Sequence, residues 1–103
     1  MKASYVFHPA AEDELREILR YTRKNWGEAQ AKKYAAKLRE CIQALATDES
    51  SGKDMSELCP ALRMAHCERH YVFCFPRQNA PALIVAILHE RMNLMARLEH
   101  RLK

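Results

Sequence analysis

Glycine is scarce in this chain: there are two in 103 residues, Gly27 and Gly52, and both fall where helical or strand patterning breaks off. Long hydrophobic runs are missing as well. The most apolar stretch, Leu83–Leu88, is six residues, against the roughly 20 that a bilayer-spanning helix needs, so no such helix is expected. The segment Met1-Lys2-Ala3-Ser4 runs straight into a strand-like Tyr5-Val6-Phe7. It shows no apolar signal region and no small-residue cleavage site, and a cytoplasmic location is expected. No C-x-x-C pair occurs among Cys41, Cys59, Cys67 and Cys74. In a reducing compartment these are expected to be free thiols rather than a disulfide framework. Cys41 falls on an apolar helix face and Cys74 within a strand, where cysteine behaves as a small hydrophobe. With no repeats, low-complexity tracts or linkers, residues 1–103 are expected to form a single domain with one modest core.

The charge balance is mildly basic. The formal net charge is +4, from ten arginines and seven lysines against 13 carboxylates. This permits an acidic partner without identifying one. Arginine suits carboxylate and phosphate pairing, but a merely solvated basic surface would give the same totals.

Periodicity supplies most of the architecture. Residues 4–7 read as a short strand. Pro9 suits a first helical position, and Glu12, Asp13 and Glu14 crowd a first turn where carboxylates favour the positive end of the helix dipole. Ala11, Leu15, Ile18, Leu19 and Thr22 keep helical spacing up to Asn25-Trp26-Gly27, with Gly27 able to take a left-handed cap. A second helix is predicted from Glu28 to Ala46, striped by Ala31, Tyr34, Ala35, Leu38, Cys41, Ile42 and Leu45. The short link between them makes a helical hairpin. Residues 48–54 read as a loop. Strands are then predicted at 62–66, at Tyr71–Phe75 with alternate aromatics, and along the apolar run from Leu83, with a Gln78-Asn79 loop tip between the last two. A six-residue Ile/Leu/Val-rich run is the mark of a strand buried on both faces. Asn93 can cap a final short helix carrying Leu94, Leu98 and Leu102 at i, i+4, i+8. The expected class is α+β, in the order β-α-α-β-β-β-α. An antiparallel sheet is covered on one face by the helical hairpin, with Leu38 and Ile42 facing Phe73 or Ile87.

The end of the Leu83 run delivers His89-Glu90-Arg91 to the rim of the core. On an extended segment His89 and Arg91 face one way and Glu90 the other. They could form an acid–base and phosphate-binding pair. The plainer reading is a strand-capping imidazole and an ion-paired arginine. His66 and His70 with Cys59 and Cys67 invite a zinc site, but two histidines four apart on one strand lie roughly 13 Å apart. The four-ligand spacing of zinc sites is absent, so no metal or other cofactor is expected.

These segments together resemble ParE-type toxins of the RelE/ParE superfamily. The resemblance rests on Tyr5-Val6-Phe7-His8-Pro9 leading into an acidic helix start, on Tyr21 to Trp26-Gly27, on Leu62-Arg63, on Arg69-His70-Tyr71-Val72-Phe73, and on Ile87-Leu88-His89-Glu90-Arg91-Met92. It covers nearly the whole chain and implies the toxin of a type II toxin–antitoxin module. RelE-like members cut messenger RNA on the ribosome with sheet Arg and Lys residues and a C-terminal Tyr. ParE-like members generally poison DNA gyrase. Here Tyr71 replaces one strand arginine, Arg91 is retained, and the C-terminal tyrosine position falls at about Arg97. None of the four tyrosines lies beyond Tyr71. The ParE-like branch is therefore expected: a gyrase-directed toxin without intrinsic catalysis, neutralised by a protein antitoxin whose disordered segment folds on binding. Membrane contact is not expected, and nucleic acid would be met only indirectly. Antitoxin contacts are assigned to Tyr21, Trp26, Met92, Leu94 and Leu98, although an aromatic at a helix junction, Trp26 above all, is more often core. Target contacts are assigned to Arg91 and Arg97. The alternative is a ribosome-dependent mRNA endonuclease using Arg63, Arg69, His89 and Arg91.

Overall fold

Pro9 starts the first helix as the sequence suggests, and His8 adds a cap that it does not. The His8 Nδ1 accepts the Ala10 N–H at 3.1 Å, capping α1 (Pro9–Trp26) directly after strand β1 (Tyr5–Phe7). The structure is a computed structural model and describes residues 5–47, 52–77 and 79–102. Ser4 of the expected first strand, 48–51 of the expected loop and Gln78 at the expected loop tip lie outside that set. Gly27 closes α1 at φ 94° and ψ 168°, its N–H bonded to the Arg23 carbonyl. The positive φ was expected. The extended ψ was not, and it turns the chain directly into α2 (Glu28–Thr47).

The remaining elements are β2 (Lys53–Asp54), β3 (Arg63–Cys67), β4 (His70–Phe75), β5 (Ala82–His89) and α3 (Leu94–Leu102). The sheet order is β1-β5-β4-β3-β2. The pairings among β2, β3, β4 and β5 are antiparallel, while β1 lies parallel to β5, Tyr5 opposite Ala82. The sheet is thus mixed. The expected order gains β2, whose two residues are both exposed and so leave no apolar alternation to read.

Strand β5 is buried on both faces, from Ile84 through Leu88, as its composition predicted. Leu38, Ile42 and Leu45 of α2 and Ala11 of α1 pack on one face against Val72, Cys74, Ile84 and Ile87. Phe73, Ala86 and Leu88 form the other face, closed by Leu62 and by Leu98 of α3. Ile87 therefore meets the helical hairpin, while Phe73, one step out of phase with Val72 and Cys74, takes the opposite side. A register shift between Phe73 and Cys74 pairs them with Ala86 and Ile84 respectively, and leaves Val85 as the extra residue of a bulge.

Two contacts lock the periphery. Leu98 is fully buried, so its assignment to an antitoxin surface is corrected: the i, i+4, i+8 stripe of α3 serves the core. Arg101, near the end of α3, reaches back to α1. Its guanidinium meets both Glu14 carboxylate oxygens at 3.0 and 2.8 Å and the Val85 carbonyl at 3.0 Å. Glu14 also accepts the Ile87 N–H at 3.0 Å. β1 pairs with β5 only as far as Ile84, and side chains take up these β5 backbone groups beyond it. The second contact is covalent. Cys41 of α2 and Cys67 of β3 form a disulfide, with Cα atoms 5.9 Å apart. This corrects the expectation of four reduced thiols. The stripe that buries α2 carries Cys41 onto the end of β3, within the separation a disulfide spans. Cys59 and Cys74 are free, and burial pushes the Cys74 thiol up to about 11.

Candidate functional site

A cleft of about 840 Å³ opens between the helical hairpin and the ends of β4 and β5. Helical repeat places its first wall. Glu17 and Tyr21, and Ile18 and Thr22, stand one turn apart on α1, with Trp26 on the next turn. Gln30 and Tyr34, likewise four apart, come from α2. The two-residue turn between β3 and β4 contributes Arg69 and leads into His70, and the end of β5 supplies His89 and Arg91.

The floor is a hydrogen-bonded relay. The Arg69 backbone N–H donates to the Tyr34 hydroxyl at 3.2 Å, and that hydroxyl lies 2.6 Å from His70 Nδ1. The arrangement that satisfies all three groups has Tyr34 O–H donating to Nδ1, which leaves the His70 proton on Nε2. Burial, reinforced by the neighbouring His89 and opposed by Glu90, holds His70 down to about 4. Burial likewise raises the Tyr34 phenol above its ordinary value, against the lowering effect of the Arg69 N–H. The His89 ring sits edge-on to His70 at 5.1 Å, and its Nδ1 accepts the Arg91 N–H at 3.1 Å, so its ring proton also lies on Nε2. Both imidazoles thus have their accepting nitrogen occupied. Neither offers a free basic nitrogen, and both present an N–H.

Charge is unevenly shared around the cleft. Glu17 is paired with Arg20 at 3.1 Å, and Glu90 is turned to His66 Nε2 at 2.9 Å, as the strand alternation predicted. His66 itself stacks on Tyr71 at 4.4 Å. The guanidiniums of Arg69 and Arg91 make no hydrogen bond or ion pair among the described residues.

Against this geometry the candidate residues divide. Arg69, His89 and Arg91 share the cleft, whereas Arg63 sits towards the far side of the sheet, opposite Asp54 and Cys74, and donates to the Gly52 carbonyl at 3.1 Å. Tyr21 and Trp26 line the cleft with 65% and 69% of their surface exposed, so the core alternative for Trp26 is set aside. Met92 is exposed, Leu94 is half-buried at the start of α3, and Arg97 is exposed on that helix. Of the four imagined zinc ligands, Cys67 is engaged in the disulfide and His66 in its bond to Glu90. Sequence reasoning missed Tyr34 and His70 as partners: Tyr34 read as one more residue of an apolar stripe, and a contact across 36 residues leaves no periodic signal.

Comparison with known proteins bears on the whole chain. Residues 5–94 match the family described as the ParE toxin of the type II toxin–antitoxin system, parDE. Toxin ParE of Escherichia coli is 61% identical over 100 residues, covering 97% of each chain. Toxin ParE1 of Mycobacterium tuberculosis is 30% identical over 94 residues, covering 91% of this chain and 96% of the relative. Toxin ParE1 of Caulobacter vibrioides is 31% identical with the same coverage. Among solved structures, a chain of the chromosomal ParDE system from P. aeruginosa superposes with a TM-score of 0.66 at 17% identity, covering 84% of this chain and 95% of that one.

Proposed function

Because the chain belongs to the ParE toxin family of type II toxin–antitoxin systems, we propose that it arrests growth by poisoning DNA gyrase in the cytoplasm. A protein antitoxin silences it by folding onto its surface. The observation that carries this reading is the exposure of four large apolar side chains: Tyr21 at 65%, Trp26 at 69%, Met92 at 43% and Met95 at 46%. Tyr21 and Trp26 stand on α1 beside the cleft, and Met92 and Met95 lie just beyond β5. An apolar surface of this kind marks an interaction site, and methionine suits an adaptable one. A disordered, acidic-to-amphipathic segment with apolar anchors at helical spacing fits it. Strand addition has a place at β1, which ends the sheet order. Leu94 contributes only its exposed fraction.

Target contact falls to Arg91 and Arg97, both exposed near the C-terminus. Arg91→Glu and Arg97→Glu are expected to weaken growth inhibition and gyrase inhibition while leaving antitoxin binding intact, because exposed changes shift stability by only about 0.5 kcal/mol. Regulated expression with and without the antitoxin, followed by supercoiling and translation assays, provides the test. Full toxicity in the double variant would remove these arginines from the target surface.

A second reading draws on the shared cleft position of Arg69, His89 and Arg91: ribosome-dependent cleavage of messenger RNA. It replaces the first if the purified toxin cuts message in the ribosomal A site and substitution of His89 or Arg91 stops the cutting.

A further inference from the structure

The cleft holds cationic and donor groups that the exposed apolar side chains of its rim do not engage. Arg69 and Arg91 bring two guanidiniums with no partner among the described residues. Among the described residues the one carboxylate lining it, Glu17, is already paired with Arg20. His70 and His89 each have Nδ1 committed as an acceptor, which leaves each ring with an N–H donor. A concave site with two unneutralised guanidiniums and two imidazole donors fits the oxygens of a phosphate, which accepts several bonds at once. The opposite wall is different in kind: Tyr21 and Trp26 present exposed aromatic surface to the same space. Aromatic side chains of this kind stack on nucleobases. The volume, about 840 Å³, lies within the range of small-molecule sites.

We propose that this cleft is a binding site for a nucleoside phosphate, with the phosphate held by Arg69, Arg91 and His89 and the base against Tyr21 and Trp26. The ligand is either a free nucleotide or the phosphorylated end of a single strand, which present the same chemistry. The proposal does not rest on the antitoxin or gyrase reading, and it is tested without either partner.

Trp26 is the chain's single tryptophan and lies in the cleft wall, so its fluorescence reports occupancy of the site directly. Purified full-length chain would be titrated with adenosine 5′-monophosphate, adenosine, inorganic phosphate, and a thymidine hexamer with and without a 5′-phosphate. The expected result is saturable quenching by adenosine monophosphate, with adenosine at least about tenfold weaker, since each charge-assisted bond lost is worth about a factor of ten or more. Phosphate should displace the nucleotide without quenching. Arg69→Gln and Arg91→Gln should each weaken binding about tenfold while leaving the circular dichroism spectrum unchanged. Trp26→Phe, followed by calorimetry, should retain the phosphate-dependent part of the affinity. Binding of the phosphorylated hexamer alone would assign the site to strand ends, and binding of the mononucleotide alone to free nucleotides. Equal affinity for adenosine and its monophosphate, no binding of any phosphorylated probe, or unchanged binding in both arginine variants would overturn the proposal.

Discussion

Arg101 is a sharp point at which to probe the fold. Arg101→Met keeps most of the side chain's length and removes three hydrogen bonds: two to the Glu14 carboxylate at 3.0 and 2.8 Å and one to the Val85 carbonyl at 3.0 Å. The two side chains are only 20% and 23% exposed, so this is a largely desolvated pair rather than a surface bridge. The Glu14 bond raises the Arg101 pKa further above its ordinary value, which marks the guanidinium as held in its charged form. Breaking a fully buried pair costs about 3–5 kcal/mol, and a single charge-assisted bond about 1.5–3 kcal/mol. Glu14 retains the Ile87 N–H as a partner, and water reaches a fifth of the site. The loss should therefore be about 2–3 kcal/mol, which for a domain of this size lowers Tm by about 10–20 °C. Urea titration should be followed by far-ultraviolet circular dichroism, because Trp26, being exposed, reports poorly on global unfolding. Glu14→Gln, which keeps an acceptor for Ile87, should cost less, and the double variant should show a coupling of about 1–2 kcal/mol. A shift under about 0.5 kcal/mol for Arg101→Met, or strict additivity in the cycle, would refute the claim that this pair fastens α3 to α1.

Three further outcomes follow from the packing. Leu38, at 1% exposure, should lose about 2–5 kcal/mol on replacement by Ala, and a near-parental urea midpoint would count against the helical hairpin's packing on β4 and β5. The Cys41–Cys67 bond closes a separation of 26 residues. Cys41→Ser, or reductant, should then lower stability by roughly 3–4 kcal/mol, while mass spectrometry after alkylation in denaturant without reductant should find two modified thiols; four would show the bond open. His70 has its folded value depressed to about 4 against about 6.5 in the unfolded chain. The unfolded state therefore binds more protons in that window, and the contribution is complete above about pH 6.5 and disappears as pH falls through about 4. For a ring that is only partly buried, solvent screening limits this to about 1–2 kcal/mol, and His70→Gln should flatten the dependence of the urea midpoint on pH.

What the sequence made legible was whatever repeats along it. The stripes of α1 and α2, the six-residue apolar run and the acidic first turn each encode a local period, and each became the expected element. β2 escaped because two exposed residues have no period. The pairing of Cys41 with Cys67, the Tyr34–His70 bond and the Glu14–Arg101 pair escaped for a different reason. Each is a meeting of residues from separate elements, fixed only by how the hairpin and α3 dock. The α3 stripe shows the limit from the other side. Leu94, Leu98 and Leu102 were read correctly as a helix face, but spacing alone does not say whether such a face meets the chain's own core or another protein. Here Leu98 meets Leu62 and Phe73. Trp26 shows the same limit in the opposite sense: an aromatic at a helix junction is more often core, but its place at the end of α1 leaves it in solvent.

The closure between Glu14 and Arg101 also orders events in time. Those residues stand 87 apart in the chain, and the edge strand β1 finds its partner only in β5. A ribosome adding about 5–20 residues per second exposes the helical hairpin seconds before the strand that its first neighbour requires, and the clamp forms only after residue 101 has emerged. Contacts so distant in sequence are slow to form and cannot be completed piecemeal. A nascent chain stalled short of α3 would hold Phe73, Ala86 and Leu88 uncovered, so synthesis itself delays closure of this core until α3 is free.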